Sequence, residues 1–517
     1  MNESAAGPAR KRAGTPPRGM GVRLARNSFH SASGRVVAIL AWLLLTPSLV
    51  RALGPEGFGV WSLFYALAGW MGSLDLGFAQ VALRYGAAAR ARGAGNEAGE
   101  YATLAVLGYG ALGIVWLLLV LALREPVLDI LHIHGDARAW ARLAFLAGAP
   151  VFLLSGVTNT TAALLQAWDR FDLANVVTLT VSLVQVAALL VALRQPETFA
   201  ACLLAVIVGW LVALALGLVL VARGAPGLRW GTVSQARSRL PEAMGFGMPL
   251  QLANGIAVMH QQLGKVLLVR MLSLASVVPY ELGLRVSTAC STFSQLLLVA
   301  MIPEASALHA QAAADRLREL HRRAGRFVTG LAAVVTAALV GSAPSLFAAW
   351  LGHPEPDAAL ALRGLALAAF AAVAGGVSSA IARGVGRTSI ELEWSALALA
   401  LHAGLGVLLV PRLGLAGALA AITVANLVGA LWLALRLTRD QHWPAAHALW
   451  EPFVFPALAI AAGFAAGASV ERALHSPWVA LVASSGVAGV VALVVLLATR
   501  HVAWGELTRL ARRGVAP

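Results

Sequence analysis

The sequence predicts an all-α polytopic membrane protein with about 14 transmembrane helices. Three observations carry that reading. Of the 517 residues, 59% are hydrophobic. Only 39 are basic and 24 acidic, about half the charged share usual in a soluble globular protein. The apolar residues also fall in runs of about 20, the length that crosses a bilayer as a helix. An ordinary soluble enzyme is excluded on these grounds, because the runs are too evenly spread for separate soluble cores.

In chain order the spans are expected at 34–53, 58–80, 102–123, 143–167, 173–193, 200–222 and 245–269, then at 280–302, 327–350, 359–382, 395–410, 415–435, 453–470 and 478–499. The first apolar stretch, 36–50, follows the basic Arg10-Lys11-Arg12 and superficially resembles a secretory signal. It comes late and without a clear cleavage site, so it reads as span one. Glycine and proline within the spans are tolerable where neighbouring helices satisfy the freed backbone groups.

An even number of spans places both termini on one side. Counting the span-end residues Arg35, Arg51 and Arg363 with the adjoining segments, the N-terminal tail, alternate loops and C-terminal tail hold 28 Lys and Arg, against 9 on the opposite side. The positive-inside rule therefore predicts that both termini are cytoplasmic. This placement absorbs most of the net charge of +15, and the basic clusters carry no nucleic-acid-binding signature. Cys202 and Cys290 lie inside apolar runs, so neither a disulfide framework nor a thiolate metal site is expected. The longest stretches between spans, 223–244 and 303–326, are too short for a folded catalytic domain.

A faint repeat divides the chain. Val50-Arg51-Ala52-Leu53 ends span one as Val269-Arg270-Met271-Leu272 ends span seven, and the same offset sets Trp61 against Tyr280. The organisation expected is a basic tail at 1–33, an N-lobe of spans one to six at 34–222, a linker at 223–244, a C-lobe of spans seven to twelve at 245–437, spans thirteen and fourteen within 438–499, and a C-terminal tail at 500–517. The two pseudo-symmetric six-helix lobes would enclose a central cavity.

Polar stripes point to that cavity. In span seven Gln251, Asn254, Gln261, Gln262 and Lys265 fall on one helical face. In span eight Glu281, Arg285, Thr288, Thr292 and Gln295 do the same. Weaker stripes run through Ser155, Thr158, Asn159 and Gln166 in span four, and Asn175, Thr178, Ser182 and Gln185 in span five. A charge at the bilayer centre costs at least about 2.5 kcal/mol, so Lys265 and Arg285 should face protein or water. The weaker stripes are open to a plainer reading as hydrogen bonds between helices. Glu281 could neutralise Arg285 one turn away, whereas Lys265 has no acid within two turns on its own helix.

Asp75 is the deepest acid of the first half. It either binds a coupling cation or serves structurally, capping a helix break or pairing with Arg84. His132 and His134 on one loop, and Asp169 and Asp172 on another, read as solvated surface rather than metal sites. No metal or cofactor is expected beyond a coupling proton or sodium ion at Asp75 or Glu281.

Leu53-Gly54-Pro55-Glu56-Gly57-Phe58-Gly59-Val60-Trp61-Ser62-Leu63, followed by Leu74-Asp75-Leu76-Gly77-Phe78 and Leu83-Arg84-Tyr85, resembles the opening of Wzx-type polysaccharide (O-antigen) flippases of the multidrug/oligosaccharidyl-lipid/polysaccharide exporter superfamily. Further similarity lies in Leu164-Leu165-Gln166-Ala167, in Tyr280 to Arg285, in Ile302-Pro303-Glu304-Ala305-Ser306 and in Leu413-Gly414-Leu415-Ala416-Gly417-Ala418. Glu281 departs from the pattern, which often has an aromatic or small residue there.

The resemblance implies a transporter, not an enzyme, that moves a polyprenyl-pyrophosphate-linked oligosaccharide to the outer leaflet by alternating access, for O-antigen, capsule or exopolysaccharide synthesis. Membrane lipids, a polysaccharide polymerase and glycosyltransferases would be its partners, without nucleic acid. Arg285 matches a cavity arginine in span eight of the related lipid II flippases. On this reading Lys265 and Arg285 hold the pyrophosphate, while Gln251, Asn254, Gln261, Gln262, Asn159 and Gln185 meet sugar hydroxyls. The alternatives are a lipid II flippase, a multidrug exporter with an acidic or aromatic cavity, or, from another class, a membrane-embedded polymerase or glycosyltransferase.

Overall fold

The computed structural model describes residues 20–73, 75–444 and 450–502. Among them every regular element is helical. The first set comprises α1 (Met20–Ser73), α2 (Phe78–Ala91), α3 (Gly95–Ile130), α4 (Gly135–Ala167), α5 (Phe171–Ala192) and α6 (Thr198–Gly224). A one-and-a-half-turn α7 (Val233–Ser238) leads to the second set: α8 (Leu240–Met271), α9 (Val277–Ala310), α10 (Ala314–Gly341), α11 (Ala343–Leu351), α12 (Pro356–Gly384), α13 (Thr388–Leu413) and α14 (Leu415–Asp440). A π-turn at Trp450–Val454 precedes α15 (Phe455–Ala473) and α16 (Pro477–Ala498).

Eleven helices among the described residues are long and apolar enough to cross a membrane, and the bent pair within α9, at 42°, makes twelve. All fourteen expected spans correspond to helical segments. Spans one and two share α1, which breaks at Gly54, where φ is 66° and ψ 176°. That left-handed, extended combination is open to glycine alone at little cost, so the turn read from the sequence becomes a hinge point between two arms of one long helix. α8 forms where span seven was expected, yet its polar face keeps it out of the eleven.

Helix α1 starts at Met20, so the expected tail 1–33 is helical from that residue onward. No proline interrupts the chain between Met20 and Pro47, so the helix of span one extends back toward the basic end. The expectations for residues 1–19, and for the C-terminal tail beyond Val502, lie outside the described residues. The linker 223–244 is also more ordered than a loop. A reciprocal capping box between Thr232 and Gln235 starts α7, and Arg239 bonds Glu100 of α3 at 2.8 Å.

Apolar side chains explain the packing. Trp61, Phe58 and Phe64 of α1 and Tyr280 of α9 are fully buried in one shared core with Leu268 and Val269. A second core joins Phe78, Tyr101, Tyr109 and Leu164 within the first set. Leu44, Ile114, Val191 and Val482 are exposed on outward faces, where lipid rather than water would meet them. The last two helices join the second set through small residues: a Cβ on Gly467 would lie 3.0 Å from Ala488 Cβ and 3.1 Å from Gly341 Cα. Only glycine permits that approach.

Candidate functional site: a buried charge triad, an inter-lobe clasp and a chamber in the second lobe

Lys265 lies in the last two turns of α8, and Glu281 and Arg285 in the first turns of α9. The short connection between these helices brings their ends together. Lys265 Nζ sits 2.7 Å from Glu281 Oε2, an ion contact rather than an aligned hydrogen bond, and Arg285 Nε donates to Glu281 Oε1 at 3.0 Å. Lys265 is 3% exposed and Glu281 5%. The acid missing from the helix of Lys265 is thus supplied by its neighbour. One carboxylate faces two cations, leaving a formal charge of +1 in a water-poor setting where charges interact strongly.

Arg285 extends this triad to the first lobe. Its Nη1 donates to Thr46 Oγ1 at 3.0 Å, and its guanidinium carbon lies 5.9 Å from the Trp42 ring centre and 5.7 Å from that of Phe58. Nearby, Arg51 Nη2 donates to the Leu351 carbonyl at 2.7 Å, and Trp350 Nε1 donates to the Leu43 carbonyl at 3.0 Å. Three polar contacts therefore tie α1 to α9 and α11 at the Gly54 end of the bundle.

The opposite end carries a second tie. Asp75, in the break between α1 and α2, accepts from Gly77 N at 2.8 Å, from Tyr109 Oη at 2.7 Å and from Gln251 Nε2 at 2.5 Å. Asn254 Nδ2 donates in turn to Gln251 Oε1 at 3.1 Å. The carboxylate shapes its own turn and clasps α3 and α8. Arg84 does not pair with it but lies over Phe246, 4.2 Å from the ring centre. Gly77 has φ of 71° and faces Gly247 so closely that a Cβ would meet the Gly247 Cα at 3.1 Å.

Between these ends, the second lobe holds a chamber of about 470 Å³, whose walls include His260, Gln261, Gln262, Trp394 and Asn426. An adjoining space of about 250 Å³ shares Gln261, Trp394, Arg383 and Glu391 with it. Arg383 and Glu391 form a two-point ion pair across α12 and α13. The Gln262 Oε1 is buried without a partner among the described residues.

The candidates read from sequence thus sort into four places. Lys265, Glu281 and Arg285 form the triad, and none of them lines the two chambers. Gln251 and Asn254 belong to the clasp with Asp75. Gln261 and Gln262 face the chamber. Asn159 is exposed on α4, and Gln185 is buried with its Nε2 donating to the Val206 carbonyl at 3.3 Å, within the first lobe. Thr158 and Thr178 return their hydroxyls to their own helices, at Leu154 and Ala174.

On the loops, Asp169 pairs with Arg90 at 2.6 Å, Asp172 with Arg170 at 3.0 Å, and His132 contacts Arg270 at 3.2 Å. Among the described residues no group of three or more His, Cys, Asp or Glu is placed to hold a metal ion. Sequence reasoning missed His260, His402, Asn426 and the Arg383–Glu391 pair. The available signal was His402, alone in an otherwise apolar span.

This architecture is that of transporters of the MOP superfamily. The chain superposes on the lipid II flippase MurJ in an inward closed conformation with a TM-score of 0.70 at 9% identity, covering 92% of this chain and 98% of that one. It matches an inward-facing multidrug resistance MATE family transporter with a TM-score of 0.63 at 14% identity, over 81% and 98% of the two chains. A MOP superfamily transporter from Pyrococcus furiosus, described as having a binding pocket of reverse polarity, gives 0.51 at 18% identity, over 81% and 95%.

Residues 24–309 match the polysaccharide biosynthesis protein family, and the chain belongs to that family. No curated protein matches it by sequence. Family and fold together describe a multi-pass membrane protein of the polysaccharide biosynthesis protein family, built on the fold seen in MurJ and the MATE transporters.

Proposed function

We propose that the protein flips polyprenyl-pyrophosphate-linked oligosaccharide units from the cytoplasmic to the outer leaflet of a bacterial inner membrane, with both termini cytoplasmic. The observation that carries this reading is the triad: a buried lysine and a partly buried arginine against one buried carboxylate, at the contact between lobes. A pyrophosphate moved through hydrocarbon without partners would face a desolvation cost of tens of kcal/mol. Arg285 offers a planar fork and Lys265 a compact charge, both suited to phosphate oxygens.

In this closed arrangement Glu281 occupies the two cations. The arriving pyrophosphate takes its place, releases Arg285 from Glu281 and Thr46, and so loosens the tie at the Gly54 end. Gln261 and Gln262 meet sugar hydroxyls in the chamber, and the clasp at Asp75 holds the opposite end shut meanwhile. An inside-negative potential favours outward movement of the anion by roughly 2.3 kcal/mol per charge per 100 mV.

The test is complementation of a flippase-null strain at matched membrane expression. Arg285→Ala and Lys265→Ala are expected to abolish polymer output and leave unpolymerised lipid-linked units on the inner leaflet. Arg285→Lys is expected to retain partial output if charge dominates over bidentate geometry. Wild-type output from both alanine variants would end the pyrophosphate reading.

A further inference from the structure

Two histidines in the second lobe are held in a way that the transport reading has not used. His260 of α8 and His402 of α13 meet edge to face, with ring centres 4.9 Å apart and planes at 71°. His402 is fully buried, and His260 lines the chamber of about 470 Å³. Both lie well inside their helices, as does Asn426 in α14.

The hydrogen bonds fix which ring nitrogens carry protons. Asn426 Nδ2 donates to the Ala368 carbonyl at 3.1 Å, so its Oδ1 is the atom that faces His260 Nε2 at 2.8 Å. That oxygen only accepts, and His260 Nε2 therefore carries a hydrogen. His402 Nδ1 lies 3.2 Å from the His260 carbonyl and carries one for the same reason. Each neutral ring is left with one lone pair, on His260 Nδ1 and His402 Nε2. Both atoms are buried without a partner among the described residues.

We propose that the His260–His402 pair is a proton-binding site that couples proton uptake to separation of α8 from α13. It rests on the transporter reading but not on any particular substrate. The pair takes one proton, because a second would set two imidazolium rings against each other. The charged groups facing the pair's surroundings are already engaged. Arg383 and Glu391 of the chamber wall hold one another, and Lys265 is held by Glu281.

A proton arriving on either lone pair therefore creates a buried N–H donor with no acceptor, which is costly where it stands. The cost is relieved when the rings move apart and chamber water reaches the new donor. Arg383, whose side chain is 49% exposed, lines the same chamber. Glu281 and Asp75 are poorer coupling sites in this arrangement, since Glu281 is held between two cations and Asp75 accepts from three donors that would have to leave.

The test uses the full-length protein in lipid nanodiscs without substrate, spin-labelled at Arg237→Cys, on α7 directly before α8, and at Arg387→Cys, directly before α13, in a Cys202→Ala, Cys290→Ala background. Both label positions are exposed. The expected result is an inter-label distance distribution that shifts between pH 8 and pH 5.5 with the slope of one proton, and no shift in His260→Gln or His402→Gln. Asn426→Asp, which sets a carboxylate against His260 and retains its proton, is expected to show the low-pH distribution already at pH 8.

An unshifted wild type, histidine variants that shift like wild type, or an Asn426→Asp protein indistinguishable from wild type at pH 8 would each overturn the proposal. Should either histidine variant fail to assemble, the Asn426→Asp arm still decides. The oligosaccharide reading is scored separately by leaflet distribution in cells, so either can fail while the other stands.

Discussion

Replacing Glu281 with glutamine removes the one negative charge between Lys265 and Arg285 while keeping the shape of the side chain. At contacts of 2.7 and 3.0 Å, each ion pair is worth about 6 kcal/mol of Coulomb attraction at an effective dielectric of about 20. The substitution forfeits both and leaves two cations facing each other, at 3% and 17% side-chain or residue exposure. After relaxation, breaking a buried pair costs about 3–5 kcal/mol. That is roughly two to three and a half powers of ten in the unfolding equilibrium.

Lys265→Met should behave differently. It leaves Glu281 with Arg285 as a neutral pair, and its expected cost is roughly 1 kcal/mol, an ordinary point substitution. Combining Glu281→Gln with Lys265→Met should recover part of the loss, because one cation rather than two then stays unpaired. Reversible unfolding in mixed micelles, titrated with SDS and read by tryptophan fluorescence, measures all three. A Glu281→Gln protein no less stable than Lys265→Met would refute the claim that one carboxylate neutralises two cations here.

Other outcomes follow from contacts at the two ends. Asp75→Ala deletes the acceptor of Tyr109, Gln251 and Gly77 and is expected to raise maleimide labelling of a Val81→Cys probe, buried beside Gly247, with Arg84→Ala as a control that leaves the clasp intact. Gly54→Ala puts a Cβ on a residue at φ 66°; a penalty of about 1–2 kcal/mol should appear as lower thermal stability in detergent. Arg51→Met with Trp350→Phe removes two of the three ties at the Gly54 end and should increase solvent accessibility of a Leu49→Cys probe, fully buried on α1, without loss of membrane expression.

Much of the fold was legible because bilayer physics writes it in apolar run length. Gly54, Pro55 and Gly57 announced the turn after span one, although not that a single helix runs through it. The site was legible wherever one helix carried the whole signal: Glu281 and Arg285 are one turn apart and do pair. It was illegible wherever the partner came from another helix. Nothing in span seven shows that Lys265 meets Glu281, because that contact depends on how α8 and α9 are set side by side. His260, His402 and Asn426 come from three helices and converge only after packing, so each looked like an isolated polar residue. The stripes of spans four and five show the reverse case, since Thr158 and Thr178 satisfy themselves locally.

The glycine seam at Gly341, Gly463 and Gly467 has a bearing on how the chain can be cut. Backbones that close leave no room for a lipid tail between them, so α15 and α16 are secured to the second lobe by shape as well as by covalent continuity. A protease site inserted between Gln441 and Trp450 should therefore yield two fragments that remain together through purification. The two pieces could equally be produced as separate polypeptides and find each other in the membrane.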